Sequence, residues 1–341
     1  MAAKLNWGIL GCGGFTRRRI LPAFAAAENA RVAALQRRSP ADAQATAKEF
    51  GVPKACAQRE ELVRDPDVQA VFVASHHAGH LADVLAAAGA GKHVLCEKPL
   101  GMNAGECRQM VAACRAAGVK LFVGHCGRYK HGVEKAREVV AAGALGPLEG
   151  LRSYYGFHAK TGIWRRDCRL SGGGPLLDLG PHVLDLIRYV SGQEVTEVAA
   201  MVEPDRDFAT GRVETRARAI LKLAGGPLAM FEVSFEEPLR NGFEVLGRNG
   251  HLRGDYILSN MEGPLVRLDH LTGDPDPIRC ETLPLEPREI YRLQLEDVSR
   301  AILEPGHAAR CATGEEGLKT LAIIDAMYES GRSGRRVRVN A

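Results

Sequence analysis

The sequence predicts an α/β protein of two domains, the first built on a doubly wound parallel sheet. Its 341 residues suit two domains. The first part alternates short apolar runs with alanine-rich segments of helical spacing, and the later part carries consecutive strands. We expect a first domain over residues 1–126 and, over 127–341, an α/β domain with a large open, mostly antiparallel sheet.

The first domain should contain five strands that alternate with helices. Each strand is apolar on both sides, as expected when helices cover both faces of a parallel sheet. The predicted strands are 6–10, 31–36, 70–75, 93–96 and 119–124, and the predicted helices are 20–28, 41–50, 80–88 and 104–116.

The pattern of predicted elements changes after residue 129, where strands follow one another without helices between them. This pattern predicts an open sheet with helices on one face. The predicted strands are 148–155, 194–203, 213–224, 228–235, 242–248, 251–256 and 263–268, and the predicted helices are 132–142, 176–190, 288–303 and 315–330.

Composition excludes several classes of protein. The net charge of +4 is too small to favour nucleic acid or a membrane surface. No apolar stretch reaches the ~18–20 residues of a membrane helix, and no charged-then-apolar leader precedes the first strand. The nine cysteines form no C-x-x-C pair, which indicates reduced thiols in the cytoplasm and no zinc site.

The first strand leads into a glycine-rich turn and then a helix. Two glycines in G-x-G allow a tight turn and the close approach of a pyrophosphate to free backbone N–H groups. An ordinary tight turn is the alternative, and Thr16 stands where Gly or Ala is usual. We predict that dinucleotide phosphates contact Gly11, Gly13, Gly14, Phe15 and Thr16.

The end of the second strand indicates which dinucleotide binds. An NAD enzyme usually carries an acid there for the ribose 2′-hydroxyl, whereas this chain has Gln36, Arg37, Arg38 and Ser39. Two guanidiniums and a hydroxyl suit a 2′-phosphate. We therefore predict NADP, with NAD as the alternative. Ser39 is also a suitable N-cap for the next helix, a role compatible with phosphate binding by the arginines.

The segment KHVLCEKPLG, residues 92–101, ends an apolar strand on Glu97 and Lys98, followed by Pro99. Ligands of parallel sheets bind outside the carboxyl ends of the strands, so both side chains should emerge at the cofactor. Pro99 fixes φ and helps to hold Lys98 in place.

Asp178 and His182 lie four residues apart on the predicted helix 176–190, which puts them on one face. An exposed Asp–His pair would contribute only ~0.2–0.5 kcal/mol. Neighbouring leucines and the three glycines 172–174 argue for burial instead. Burial of an acid and an imidazole is unfavourable unless they have polar partners or a polar ligand. We predict that Lys98, Asp178 and His182 are the catalytic residues.

The chain resembles the Gfo/Idh/MocA family, the glucose–fructose oxidoreductase and inositol dehydrogenase group. The resemblance covers nearly the whole chain and implies a Rossmann domain followed by an α/β domain. It is carried by Gly11-Cys12-Gly13, by VASHHAGHLADVLAAAGAGKHV (73–94), by GKHVLCEKPL (91–100), by GGGPLLDLGPHVLDLIRYVSG (172–192) and by GEEGLKTLAIIDAMYESGRSGRRVRV (314–339).

The resemblance implies roles for the catalytic set. His182 would be the general acid/base on the reacting hydroxyl, Asp178 would bind a substrate hydroxyl or orient His182, and Lys98 would polarise the reacting oxygen. Glu97 would line the nicotinamide side. The Lys98–Pro99 bond is often cis in the family.

The family also places Ser75, His76 and His80 near the cofactor, and His80 matches a histidine that is common there. Ser75-His76-His77 replaces the usual Thr-Pro-Asn, so His76 and His77 either touch cofactor or substrate or satisfy the loop backbone. We predict no metal, because the spacing is poor and no acid or cysteine flanks these histidines.

Substrate contacts are expected from the loop 155–171 and from Arg128, which the family places at its cleft. Tyr155, Trp164 and Arg165 are groups suited to a sugar or polyol, together with Asp178 and His182. The alternative for Trp164 and Arg165 is a packed loop anchor. An uncovered apolar sheet face usually marks an interface, so we expect a homodimer or homotetramer through the second sheet.

These features predict an NADP-preferring oxidoreductase that acts on a CH–OH group of a sugar, polyol or related compound. Two alternatives remain. One is an enzyme that keeps its cofactor bound for an internal redox step, such as glycosidic cleavage. The other is a non-catalytic NADP-binding regulator.

Overall fold

The computed structural model of the chain describes residues 4–258, 266–273 and 279–340, so residues 263–265 of one predicted strand lie outside it. The strands are β1 Leu5–Leu10, β2 Ala30–Gln36, β3 Lys54–Cys56, β4 Ala70–Val73, β5 His93–Cys96, β6 Leu121–Val123, β7 Leu148–Gly156, β8 Val195–Glu203, β9 Arg216–Leu223, β10 Leu228–Ser234, β11 Arg240–Gly247, β12 Gly250–Asp255, β13 Arg267–Thr272, β14 Arg279–Thr282, β15 Ala312–Thr313 and β16 Val337–Arg338. The α-helices are α1 Leu21–Ala26, α2 Pro40–Phe50, α3 Arg59–Arg64, α4 His77–Gly89, α5 Ala104–Ala116, α6 His131–Ala141, α7 Cys168–Ser171, α8 Pro175–Asp178, α9 Gly180–Ser191, α10 Ile290–Leu303 and α11 Gly314–Ser333.

The chain divides into two compact units. Residues 1–126 and 289–321 form the first unit, and residues 127–288 and 322–341 form the second. The chain first passes from one unit to the other between Cys126 and Gly127, where the sequence analysis placed the domain boundary. Residues 289–321, which we expected in the second domain, belong to the first unit because α10 packs against α1 and β2 and because β15 pairs with β6.

In the first unit, the described strands form a sheet in the order β15-β6-β5-β4-β1-β2-β3. All neighbours from β6 to β3 run parallel, and β15 is antiparallel to β6. Every residue of β4 is buried, as a sheet covered on both faces requires. The prediction of a Rossmann-type parallel sheet is confirmed.

In the second unit, the described strands form a sheet in the order β14-β13-β12-β11-β7-β10-β9-β8-β16. Only the β7–β10 pair is parallel among these described strands. Side chains of β9 alternate strictly between exposed and buried, because one face of the sheet packs on helices α8 and α9. The prediction of a mostly antiparallel sheet is confirmed.

The prediction of one continuous helix over 176–190 is wrong at one point. Helix α8 ends at Asp178 and α9 begins at Gly180, with Leu179 between them. Pro181 explains the break, because it has no N–H to donate to the preceding turn. Asp178 therefore closes one helix and His182 lies in the first turn of the next.

The α-helices range from four residues in α7 to 20 in α11. Within the ranges that the structure covers, none is long and apolar enough to cross a membrane.

Trp7 anchors α10 to the first sheet. Its side chain is fully buried in β1, its ring lies 5.8 Å from that of Phe24, and its indole Nε1 donates to Ser299 Oγ at 3.0 Å. A buried indole N–H needs such an acceptor. This hydrogen bond accounts in part for the place of residues 289–321 in the first unit.

We expect Ser299→Ala to lower the free energy of unfolding by about 1–3 kcal/mol, since it leaves the buried indole N–H without its acceptor. Urea denaturation measures the change. In a Trp7→Phe background, where no donor remains, the same substitution should have little effect. An equal loss in both backgrounds would contradict a role for this hydrogen bond.

Candidate active site

The phosphate loop begins at Gly11, directly after β1. Gly11 has φ 76°, and a Cβ there would lie 2.5 Å from the backbone N of Ser75, so only glycine fits. Gly13 and Gly14 are exposed, whereas Thr16 is buried at the third position of the motif. Gly13 N donates to Gly11 O at 2.7 Å, which closes the turn, and glycines at these positions let a ligand's phosphates approach the backbone closely. A π-helical turn over Thr16–Ile20 follows and leads into α1.

Gln36 ties this turn to the end of β2. Its Oε1 accepts from Gly11 N at 3.3 Å, and its backbone carbonyl accepts from Cys12 N at 3.1 Å. Burial raises the pKa of the Cys12 thiol to about 11, so this cysteine is a packing residue and no nucleophile.

The three residues after Gln36 have different surroundings. The Arg37 guanidinium donates to Thr46 Oγ1 at 2.8 Å and pairs with Asp42 at 3.3 Å. Ser39 caps α2 by accepting from Asp42 N. Arg38 is exposed and makes no ion pair or side-chain hydrogen bond with any residue that the structure describes. Among the two arginines, Arg38 is therefore the one with an unneutralised charge.

His80 joins the loops that follow β4 and β5. The ring is fully buried, with Nδ1 2.8 Å from the carbonyl O of Pro99 and Nε2 3.1 Å from that of Ser75. Burial lowers its pKa, and either ring nitrogen finds a carbonyl to which it can donate. His80 thus holds two loops together at the carboxyl ends of neighbouring strands, a role the sequence did not indicate.

His76 is half-buried and His77 is buried as the first residue of α4, with its ring 5.6 Å from that of His80. In the described parts of the chain, no group of three His, Cys, Asp or Glu side chains is arranged to hold a metal ion.

The strand β5 ends at Cys96, and Glu97 and Lys98 follow it half-buried. Lys98 N donates to Glu97 Oε2 at 3.2 Å. A Cβ on Gly124 would lie 3.1 Å from Glu97 Cδ, so the carboxyl packs against the backbone that follows β6. The Lys98–Pro99 bond is cis, as the resemblance implies.

Asp178 lies in the second unit and is 4% exposed at the end of α8. Arg165 Nε donates to Asp178 Oδ1 at 3.1 Å, and the Arg165 guanidinium lies over the Trp164 ring, 4.6 Å from its centre. The pair joins the loop predicted to bind substrate to the predicted catalytic helix. The half-exposed guanidinium of Arg165 therefore links Trp164 to Asp178.

His182 is half-buried in the first turn of α9, with its ring 6.1 Å from that of Tyr155 on β7. Phe157 and Phe235 extend this contact into an aromatic row, at 6.4 and 5.4 Å between successive ring centres. An imidazole beside a tyrosine and an apolar row suits a site that binds the carbon face and the hydroxyls of a sugar.

Arg128 has a different environment from the one expected. It is buried, donates to both carboxylate oxygens of Asp185 at 2.6–3.1 Å, and lies 4.7 Å from the centre of the Tyr189 ring. The ion pair anchors the turn after β6 on α9, one turn beyond His182. Sequence reasoning missed Asp185, although an acid on the buried face of this helix was a usable signal.

The family comparison matches sequences from both units. Residues 5–125 match the model of the oxidoreductase family with an NAD-binding Rossmann fold, and residues 133–253 match the GFO/IDH/MocA C-terminal domain. The chain belongs to the Gfo/Idh/MocA family. The predictions of this family and of an NAD(P)-dependent oxidoreductase are thereby confirmed.

Relatives of known activity cover nearly the whole chain. A 1,5-anhydro-D-fructose reductase of Ensifer adhaerens is 31% identical, with 98% of each chain covered. A D-xylose 1-dehydrogenase (NADP(+)) of Haloferax volcanii is 31% identical over 98% of this chain and all of its own. The solved structure of an aldose–aldose oxidoreductase of Caulobacter crescentus, complexed with glycerol, has a TM-score of 0.88 at 31% identity and covers 98% of this chain and 99% of its own.

Proposed function

We propose that the protein is an NADP-preferring dehydrogenase or reductase that transfers hydride between the nicotinamide and a CH–OH or carbonyl group of a sugar or polyol. The observation that carries the proposal is the placement of Asp178, Arg165, His182 and Tyr155 in one unit. A buried carboxylate bonded to a guanidinium and an imidazole beside a tyrosine are acid–base and hydroxyl-binding groups.

The residues after β1 and β2 suit the cofactor. The exposed Gly13 and Gly14 would hold its pyrophosphate, and the exposed Arg38 would pair with a 2′-phosphate. Arg37 would add a donor beside it, and Ser39 supports the site by capping α2. The loops of Ser75, His76 and Glu97, the first held by His80, would line the nicotinamide side. When bound, the nicotinamide accepts or gives the hydride.

His182 would move the proton. In the oxidising direction it takes the proton from the substrate hydroxyl, and in the reducing direction it returns it. Lys98 would donate a hydrogen bond to the same oxygen and stabilise its developing negative charge. Asp178, held by Arg165, would bind a neighbouring hydroxyl or orient His182.

The substrate class rests on the character of the side chains and on the relatives. Tyr155 and Trp164 offer aromatic faces, and Arg165 and Asp178 offer a donor and an acceptor for hydroxyls. Relatives named for anhydrofructose, xylose and aldoses support a sugar. Arg128 would act indirectly, since its guanidinium is bonded to Asp185.

The relative named aldose–aldose oxidoreductase gives one reason to retain the internal redox alternative. An enzyme with an internal redox step would keep its cofactor bound between two half-reactions. We also propose a cytoplasmic location, which is supported by nine free cysteines, eight of them buried.

We propose a homodimer or homotetramer through the open face of the second sheet, with a second copy of the chain as the occupant. Met230 on β10 and Ile220, directly opposite on β9, are each 51% exposed. Leu228 and Met201 extend the same apolar face and are 52% and 68% exposed. Apolar side chains grouped in this way usually mark an interface.

For the cofactor, we expect kcat/KM with NADP to exceed that with NAD. Arg38→Ala should lower the NADP value by about 10- to 100-fold, the effect of one charged hydrogen-bonding partner, and leave the NAD value unchanged. Arg19→Ala, which removes another exposed arginine of the same unit, is the matched control. Equal values for the two cofactors in the unaltered protein would refute the preference.

The same preparation tests the alternative. Protein purified without added nucleotide should pass through gel filtration free of nicotinamide. Copurifying NADP(H) would favour the internal redox reaction, and it is detected after denaturation by absorbance at 260 nm and, for the reduced form, at 340 nm.

For the acid–base group, we expect His182→Ala to lower kcat by about 10²–10⁴-fold, because proton transfer loses its carrier. Initial rates on a panel of aldoses and polyols, followed at 340 nm, measure this. His251→Ala removes a half-buried imidazole from β12 and should leave kcat unchanged. A loss below tenfold for His182→Ala would exclude His182 from the role.

For the interface, Met230→Arg should convert the oligomer to a monomer, because it places a charge in an apolar contact. Light scattering at micromolar concentration measures the mass. Leu85→Arg, at a partly exposed leucine on α4 of the first unit, should leave the mass unchanged. An unaltered protein that is monomeric would defeat the proposal.

A further inference from the structure

The turn of glycines 172–174 packs too closely to accept a side chain at its last two positions. A Cβ on Gly173 would lie 2.2 Å from Tyr328 Oη, and a Cβ on Gly174 would lie 2.0 Å from the backbone O of Glu214. Neither distance is sterically allowed. Two neighbouring segments of the second unit, at Glu214 and in α11, therefore pack directly against this turn.

Glu214 holds the start of α8. The side chain is fully buried, and its Oε1 accepts from Gly174 N at 2.8 Å and from Leu176 N at 3.0 Å. Pro175, between them, has no N–H to satisfy. One carboxylate oxygen thus accepts two of the N–H groups that the first turn of a helix leaves without partners. Burial raises the pKa of Glu214, and it outweighs these hydrogen bonds, which lower the pKa.

Arg206 and Tyr328 hold the other side of the turn. Arg206 Nη1 donates to the carbonyl O of Gly172, and its guanidinium lies over the Tyr328 ring, 3.7 Å from the ring centre. The Tyr328 hydroxyl is buried against Glu214, and a Cβ on Gly173 would lie 3.3 Å from Glu214 Oε2. Arg206, Glu214 and Tyr328 together form what we call the glycine-turn clamp.

Backbone hydrogen bonds connect this turn to Asp178. Asp178 N donates to Gly174 O at 2.9 Å, and Leu179 N donates to Pro175 O at 2.8 Å. His182 follows, with its N donating to Leu179 O at 3.0 Å. A shift of Gly174 therefore moves Asp178 directly and His182 through Leu179.

We propose that the glycine-turn clamp positions Asp178 and His182 for the reaction, with Glu214 as its principal positioning residue. The inference rests on the proposed function, because it takes these two residues as the reacting groups. Glu214 touches no reacting atom: its contribution is to fix where α8 begins. A misplacement of about 1 Å at a catalytic group can lower a rate on the order of 10²-fold.

The test compares Glu214→Leu with Glu214→Gln by kcat, KM and melting temperature. Leucine removes the acceptor, and glutamine keeps one oxygen able to accept from both N–H groups. We expect Glu214→Leu to lower kcat about 10- to 100-fold with little change in cofactor KM, and Glu214→Gln to restore kcat to within about threefold of the unaltered value. Asp297→Leu is the matched control, because Asp297 also accepts from two backbone N–H groups, in the first unit. It should lower the melting temperature and leave kcat within about threefold.

A folded Glu214→Leu protein with kcat within threefold of the unaltered value would overturn the inference. If this variant does not fold, Arg206→Met replaces it, since it removes the bond to Gly172 O from a half-buried side chain. The expected loss of kcat is then at least threefold, restored by Arg206→Lys, and an unchanged kcat overturns the inference. Asp178→Asn and His182→Ala run in parallel. If these retain activity, the proposed function fails, and if only the clamp variants retain it, the inference alone fails.

Discussion

The parallel pairing of β1, β2, β4 and β5 determines where chemistry can occur in the first unit. Parallel strands bring their carboxyl ends to one edge of the sheet, so residues far apart in sequence meet there. Gly11 and Glu97 directly follow β1 and β5, Gln36 ends β2, and Ser75 lies two residues after the end of β4. Gln36 bonds to Gly11, and His80 bonds to the carbonyls of Ser75 and Pro99. Side-chain hydrogen bonds therefore link the segments at this edge, in addition to the pairing of the strands.

The proposed function assigns a different task to each face of the second unit's sheet. Phe231 of β10 is fully buried beneath α8 and α9, close to the position of Gly180, whereas its neighbour Met230 is half-exposed on the other face. Strand periodicity makes this separation automatic, because adjacent residues point to opposite sides. In the proposed arrangement, a substitution at Met230 therefore alters the interface without a contact to the face that packs on α8 and α9.

Sequence patterns captured the features with a strong local signal. Strand–helix alternation predicted the first sheet, and G-x-G predicted the turn at Gly11. The break at Leu179 was missed although Pro181 signalled it, because the apolar spacing continues through both helices. The return of residues 289–321 to the first unit and the Arg128–Asp185 pair depend on contacts between distant segments. Such contacts have no local pattern, so the sequence carried no sign that Arg128 bonds to Asp185.

Buried ionisable groups of the second unit fall into two kinds, and the difference explains why Glu214 matters. Arg128 and Asp185 form a buried ion pair, and the buried Arg188 pairs with the exposed Glu194, so that each charge has a partner that anchors one element to another. Glu214 accepts instead from backbone N–H groups at the start of α8, while Tyr328 lies against its other oxygen. An ion pair tolerates some sliding of flexible side chains, whereas two N–H groups of one helical turn fix a carboxylate's position relative to the backbone. The burial of Glu214 against backbone N–H groups is therefore best understood as a means of fixing the backbone that carries Asp178.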